Sequence, residues 1–132
     1  MDFEKYNNKQ SKKNSNTIAI DFDGVIHKNS KGFHDGTIYD SPIEKSLESI
    51  KHLHQKGYEI VIYSCKLNPD RPLINGKSGE ELMWEWLEKH GFKEYISNVS
   101  WGKPWATLYI DDKGFRFTDW DSCLFFVKEG LN

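Results

Sequence analysis

The stretch that most restricts what this chain can fold into is Ile18-Ala19-Ile20-Asp21-Phe22-Asp23-Gly24-Val25-Ile26. An apolar run stops abruptly at two carboxylates separated by one residue. Thr17, Ile18 and Ile20 suit a buried central strand, and Gly24 suits a sharp exit from a sheet. Asp21 and Asp23 then fall at the carboxyl edge of that strand, where open α/β sheets bind their ligands. Two acids so close repel each other, and keeping both ionised calls for a cation or a hydrogen-bond donor beside them. A hard divalent ion meets that need. The same Asp-x-Asp-Gly pattern also occurs in calcium loops and in ordinary turns, so the run alone leaves those readings open.

The rest of the chain supplies partners for such a strand. His27 to Asp40 carries turn residues at Asn29-Ser30-Lys31-Gly32 and Asp35-Gly36, which predicts a small hairpin or flap at the strand end. Ser41-Pro42-Ile43-Glu44 reads as an N-cap, a first-turn proline and a capping-box glutamate. With Ile43, Leu47, Ile50 and Leu53 at helical spacing and Gly57 as a stop, it predicts a helix from Pro42 to Lys56. Tyr58 to Tyr63 reads as a second buried strand ending at Ser64. Strand, helix and strand in this order imply a parallel pair, which brings Ser64 to the same sheet edge as Asp21. Glu80 to His90 reads as a helix stopped by Gly91. Ile96 to Trp101 and Thr107 to Ile110 read as strands, the second ending at Asp111-Asp112. A short strand at Phe115 to Phe117 and a last helix follow, the helix capped by Asp119 with Trp120, Cys123, Leu124 and Val127 on one face. The expected fold is α/β: a doubly wound, mainly parallel sheet with the first strand central and helices on both faces.

At 132 residues the chain has the size of one domain. We expect residues 17–132 to form it, and residues 1–16, with only Phe3 and Tyr6 as apolar anchors, to be a flexible tail. A formal net charge of −2 gives no global attraction to nucleic acid or acidic membranes, so a nucleic-acid partner would need a local basic patch. Cys65 and Cys123 read as reduced thiols. No run approaches the roughly 20 apolar residues that span a bilayer, and no apolar segment near the start suits a secretion signal. A cytoplasmic protein with no membrane partner is expected. Gly76-Lys77-Ser78 is not a phosphate loop, because Arg71 stands where the earlier glycine belongs and no strand precedes it.

Singly, Ser64 reads as a turn residue, Lys103 before Pro104 as a solvated charge, and Asp111-Asp112 as a turn. Their joint placement at strand ends changes that. Asp21-Phe22-Asp23-Gly24-Val25, Ser64 after Ile60-Val61-Ile62-Tyr63, Lys103, and Tyr109-Ile110-Asp111-Asp112 follow in the order of the four motifs of the haloacid dehalogenase superfamily of phosphotransferases, which this sequence resembles from Thr17 to Phe117. The resemblance implies a Mg²⁺-dependent phosphomonoester phosphatase. Asp21 would be the nucleophile that forms an aspartyl-phosphate, and Asp23 the general acid and then the base, with its backbone carbonyl on the metal. Asp21 and Asp112 would supply side-chain ligands to Mg²⁺, with Asp111 a supporting acid or the ligand in place of Asp112. Ser64 would hydrogen-bond a phosphoryl oxygen, and Lys103 would hold the phosphate and balance Asp21.

Cap domains in this family are inserted after the first motif or between the second and third. The flap here is only His27 to Asp40, and Cys65 to Gly102 is taken up by a loop, a helix and a short strand. The resemblance is therefore to capless members, whose open sites admit phosphorylated macromolecules and in some cases small sugar phosphates. Residues expected to rim the site are His27, Lys28, His34, Lys66, Arg71, Lys113 and Arg116. Trp101 and Trp105 bracket Lys103. Core packing is the first reading of both rings, and stacking on a base or sugar the second. Cys65, beside Ser64, reads as a packed inert thiol before an oxidant-sensitive one. The other functions left open are a nucleotide or polynucleotide-end phosphatase, a non-catalytic phosphate-binding or scaffolding module, and a calcium-binding module.

Overall fold

The structure, a computed structural model, describes residues 16–111 and 117–130. Strands β1 (Thr17–Asp21), β2 (Glu59–Tyr63), β3 (Asn98–Ser100) and β4 (Leu108–Ile110) form one all-parallel sheet in the order β3-β2-β1-β4. Ile18, Ala19 and Ile20 are all buried, so both faces of β1 are covered, as its unbroken apolar run requires. The register sets Asp21 opposite Tyr63, Ile20 opposite Ile110 and Tyr63 opposite Ser100. The carboxyl ends of the strands are thereby aligned at one edge.

Helix α1 (Ser46–Gln55) connects β1 to β2, α2 (Gly79–Lys89) connects β2 to β3, and α3 (Trp120–Gly130) follows β4. Ile50 and Leu53 of α1, Met83 and Leu87 of α2, and Trp120 and Cys123 of α3 join Ile18, Ile20, Ile60, Ile62 and Ile110 in one core. This is the doubly wound, parallel α/β architecture expected. No cap domain is present among the described residues, and no helix among them is long and apolar enough to cross a membrane.

Helix α1 starts later than its sequence signals predict. Pro42 pairs with His27 in an isolated bridge, and the Ile43 N–H donates to the Ile26 carbonyl at 2.7 Å. That pairing keeps residues 42 and 43 extended, so Ser41 caps nothing and Pro42 is not a first helical residue. Lys45, at φ +70°, makes the turn into the helix instead. The capping box belongs to α2: Ser78 Oγ accepts from the Glu81 N–H at 3.2 Å while the Glu81 carboxylate accepts from the Ser78 N–H at 3.3 Å. The last helix is as predicted, with Asp119 Oδ1 accepting from the Ser122 N–H at 2.8 Å.

The flap is not a regular hairpin. It is a run of turns fastened by side chains: Asp40 Oδ2 accepts from the Ser30 N–H and hydroxyl, and the Tyr39 hydroxyl accepts from the Lys31 N–H while donating to the Gly32 carbonyl. The expected tail lies outside the described residues except for Asn16, whose carbonyl accepts from the Glu59 N–H at 2.7 Å. The expected strand at Phe115 to Phe117 also lies outside them, apart from Phe117, which packs edge-on against Trp120.

Candidate active site

Beyond β1 the backbone folds back on itself at once. The Phe22 carbonyl accepts from the N–H groups of Val25, Ile26 and His27, and the Gly24 N–H donates to the His27 carbonyl at 2.8 Å. Gly24 sits at φ +84°, a conformation that disfavours any residue with a Cβ. This turn brings His27 against Asp23, four residues earlier. The His27 ring is fully buried, stacked on Phe22 and edge-on to Trp86 and Tyr39. Its Nε2 lies 3.0 Å from the Asp40 backbone N–H, a group that can only donate. The hydrogen-bond pattern therefore assigns the ring proton to Nδ1, which donates to Asp23 Oδ1 at 2.9 Å.

The other oxygen of Asp23 is held from β2. Ser64 ends that strand and caps a single 3₁₀ turn, Cys65–Leu67, its Oγ accepting from the Lys66 N–H at 3.1 Å. The turn sends Lys66 inward, where it is only 3% exposed and its Nζ lies 2.7 Å from Asp23 Oδ2. The start of α2 crowds this turn: a Cβ at Gly79 would lie 1.8 Å from the Lys66 carbonyl oxygen, so only glycine fits. Burial pushes the Asp23 carboxyl up, but the hydrogen bonds from His27 and Lys66 and the Lys66 charge outweigh it, leaving Asp23 below the usual carboxylate range. With two donors, Asp23 rests in its ionised form.

A second group lies at the end of β4. Asp111 is buried, accepts a hydrogen bond from the Tyr63 hydroxyl and pairs with Lys103, whose Nζ is 2.7 Å from Asp111 Oδ2. Burial, reinforced by the bond to Asp111, raises the Tyr63 phenol above its ordinary value. The Lys103 ammonium also lies 4.7 Å from the centre of the Tyr109 ring and 5.7 Å from that of Tyr63. Asp111 is thus engaged with a phenol and an ammonium, the surroundings of a supporting acid.

Asp21, Asp23, Ser64, Lys103 and Asp111 all fall at the aligned carboxyl edge, in strand ends or the turns that follow them. Asp112, Lys113 and Arg116 lie outside the described residues. Two residues expected on the rim are instead buried around Asp23, namely His27 and Lys66. The signal for His27 is its spacing of four from Asp23 across a glycine turn. Lys66 carries no comparable local mark, since its partner is 43 residues earlier. Lys28 and His34 are exposed, as expected of a rim. Arg71 lies over the Phe33 ring at 5.0 Å and donates to the Gly36 carbonyl, pinning the flap to the loop after Ser64. Two packing expectations are overturned. Trp101 and Trp105 are 55% and 79% exposed, and Cys65 is the residue of its 3₁₀ turn that faces outward while Lys66 and Leu67 turn inward.

Oxygen donors suited to a hard divalent ion are present in the Asp21 carboxylate and the Asp23 carbonyl, two residues apart at the end of β1. Among the described residues no group of three His, Cys, Asp or Glu side chains converges as a metal site. The donor set fits Mg²⁺, which holds few protein ligands and several waters.

No protein-family model and no curated protein matches the chain. A solved structure described as that of the conserved protein coded by a locus from Bacteroides thetaiotaomicron is similar to it. The TM-score is 0.59 and the identity 23%, over 89% of this chain and 93% of that one. At that identity the likeness speaks to the fold, which it shares.

Proposed function

We propose that the protein is a Mg²⁺-dependent phosphomonoester phosphatase that works through an aspartyl-phosphate on Asp21. The observation that carries this reading is the clamp on Asp23. A carboxylate two residues beyond the end of the central strand is fixed on both oxygens, by His27 Nδ1 and Lys66 Nζ, at the edge where parallel α/β sheets bind ligands. An acid–base group beside a nucleophile needs such fixed placement.

In the first step an Asp21 oxygen attacks phosphorus, and the bond from phosphorus to the ester oxygen breaks with its electron pair. The departing alkoxide takes a proton from Asp23. Asp23 acquires that proton along with the substrate, because a phosphate dianion beside it opposes its negative charge and favours the neutral form. In the second step Asp23, again a carboxylate, takes a proton from water, whose oxygen attacks phosphorus and breaks the bond to Asp21. Inorganic phosphate leaves, and Asp21 is restored. Ser64, whose hydroxyl has a proton to donate, bonds a phosphoryl oxygen, and Lys103 balances phosphate and Asp111 together. Asp21, the Asp23 carbonyl and, by the resemblance, Asp112 would hold Mg²⁺, which would supply charge neutralisation for the phosphoryl oxygens. The two free thiols agree with a reducing, cytoplasmic setting.

The test is phosphate release from sugar phosphates, nucleotides, phosphopeptides and phosphorylated oligonucleotides, with and without Mg²⁺. Release that requires Mg²⁺ and is abolished in Asp21→Asn is expected. Folded protein that binds phosphate without turning over any of these substrates would replace this reading with a phosphate-binding module.

A further inference from the structure

A groove of about 610 Å³ lies between α1 and α3. The starts of the two helices are tied together by Lys45 and Asp121, Nζ to Oδ2 at 2.8 Å, and their last turns face each other across the groove. Leu53 and Val127, both buried, form its floor, and the half-buried Tyr58 and the 67% exposed Phe125 form its walls. The charged groups that line it, Lys56 and Lys128, are both basic. Tyr58 immediately precedes β2, so the groove opens at the amino edge of the sheet, the end opposite the candidate active site. A cleft of this size with apolar walls and a few charges suits a compact apolar ligand.

We infer that this groove is the docking site of the segment Asp2-Phe3-Glu4-Lys5-Tyr6 of the same chain. The path of the backbone points to that occupant. Asn16 gives its carbonyl to the Glu59 N–H at 2.7 Å, one residue from Tyr58, so the chain ahead of Asn16 is delivered to the mouth of the groove. Residues 7–15 join Tyr6 to that point and can span up to about 30 Å, more than a groove of this volume requires. The side chains agree. Phe3 and Tyr6 are the aromatic residues ahead of β1, and rings pack well against walls made by Tyr58 and Phe125. Asp2 and Glu4 flank Phe3 and complement Lys56 and Lys128. A second copy seated symmetrically on this face would instead bring the lysines of one copy toward those of the other, which like charge opposes. Attachment adds to the preference, because a tethered segment acts at an effective concentration on the order of millimolar. The inference is independent of the phosphatase reading. It gives the residues ahead of β1 a role in covering the core at its amino end.

The experiment places the photoreactive p-benzoylphenylalanine at Phe3 of the full chain, irradiates dilute protein and maps the crosslinks by mass spectrometry. We expect crosslinks within one chain, to residues 52–58 or 124–128. They should be lost in Phe125→Asp, which sets a carboxylate against Asp2 and Glu4, with circular dichroism confirming the fold. Crosslinks to other segments, or none at all, overturn the inference, as does a yield that Phe125→Asp leaves unchanged. Crosslinked dimers also overturn it and name a second copy as the occupant. Hydrogen exchange reads the same contact without the probe. Burying one phenylalanine favours the buried state roughly 10- to 150-fold, so amides of residues 53–58 and 124–128 should exchange several-fold faster in Phe3→Ser/Tyr6→Ser than in the natural chain. Equal rates in the two chains overturn the inference.

Discussion

Replacing Lys66 by methionine tests the clamp on Asp23 most directly. Methionine keeps an unbranched apolar stem of similar length, so the change removes a charge without opening a large cavity. Taking one partner from a buried ion pair costs about 3–5 kcal/mol, because the remaining charge is left without compensation in a poorly solvated place. Here the Lys66 side chain is 4% exposed but that of Asp23 is 20% exposed, and His27 still donates to Asp23. Both facts reduce the penalty, to about 2–3 kcal/mol. For a chain of this size that lowers Tm by roughly 10 °C. The assay is urea unfolding of the natural chain, Lys66→Met, Asp23→Asn and the double variant. Asp23→Asn leaves the buried ammonium without its carboxylate, whereas the double variant removes both charges. The double variant should therefore be more stable than the sum of the single losses allows, by about 1–3 kcal/mol. Additivity within about 0.5 kcal/mol, or a Lys66→Met loss smaller than that, would refute the reasoning and leave Lys66 as packing alone.

Gly79→Ala should destabilise by about 1–3 kcal/mol in the same assay, because the new Cβ meets the Lys66 carbonyl; helix propensity alone predicts a gain of up to about 1 kcal/mol, so a gain would contradict the close approach. The pairing of Asp40 with Ser30 holds the carboxyl down at about 2, from an ordinary value of 3.8. A depressed acid stabilises the fold above its unfolded value and loses that contribution as pH falls through the folded one. The stability difference between the natural chain and Asp40→Asn should be constant above about pH 5 and shrink between 3.8 and 2. A difference that grows on acidification would show that the bonds from Ser30 do not favour the carboxylate.

The central strand was legible because its cause is local. Ile18 to Ile20 followed by Asp21-Phe22-Asp23-Gly24 states burial, an end and a turn within a few residues. The start of α1 was not legible, since the Ser41-Pro42 signal is overridden by the bond from Ile43 to Ile26, a contact between distant positions. The site divides in the same way. Asp21, Asp23, Ser64, Lys103 and Asp111 announce themselves by standing at strand ends. The burial of Lys66 depends on how α2 closes over the 3₁₀ turn at Gly79, and the type of residue alone points the other way, to a solvated surface. Trp101 and Trp105 misled for the opposite reason. Their type points to the core, while the bonds from the Ser100 hydroxyl to the Gly102 carbonyl and from the Tyr109 hydroxyl to the Pro104 carbonyl hold them out.

The sheet order carries a consequence for synthesis. Ile18 of β1 pairs on one side with Ile60 and on the other with Leu108, 90 residues later (108 − 18 = 90). At about 5–20 residues per second, a translating ribosome needs roughly 5–18 s to supply that second neighbour. During this interval the strand that is most buried in the finished fold has a bare edge, which is a template for pairing with other chains. Chains truncated before Leu108 keep that edge for good, so they should aggregate even though the first motif, β2 and the clamp on Asp23 are already encoded in them.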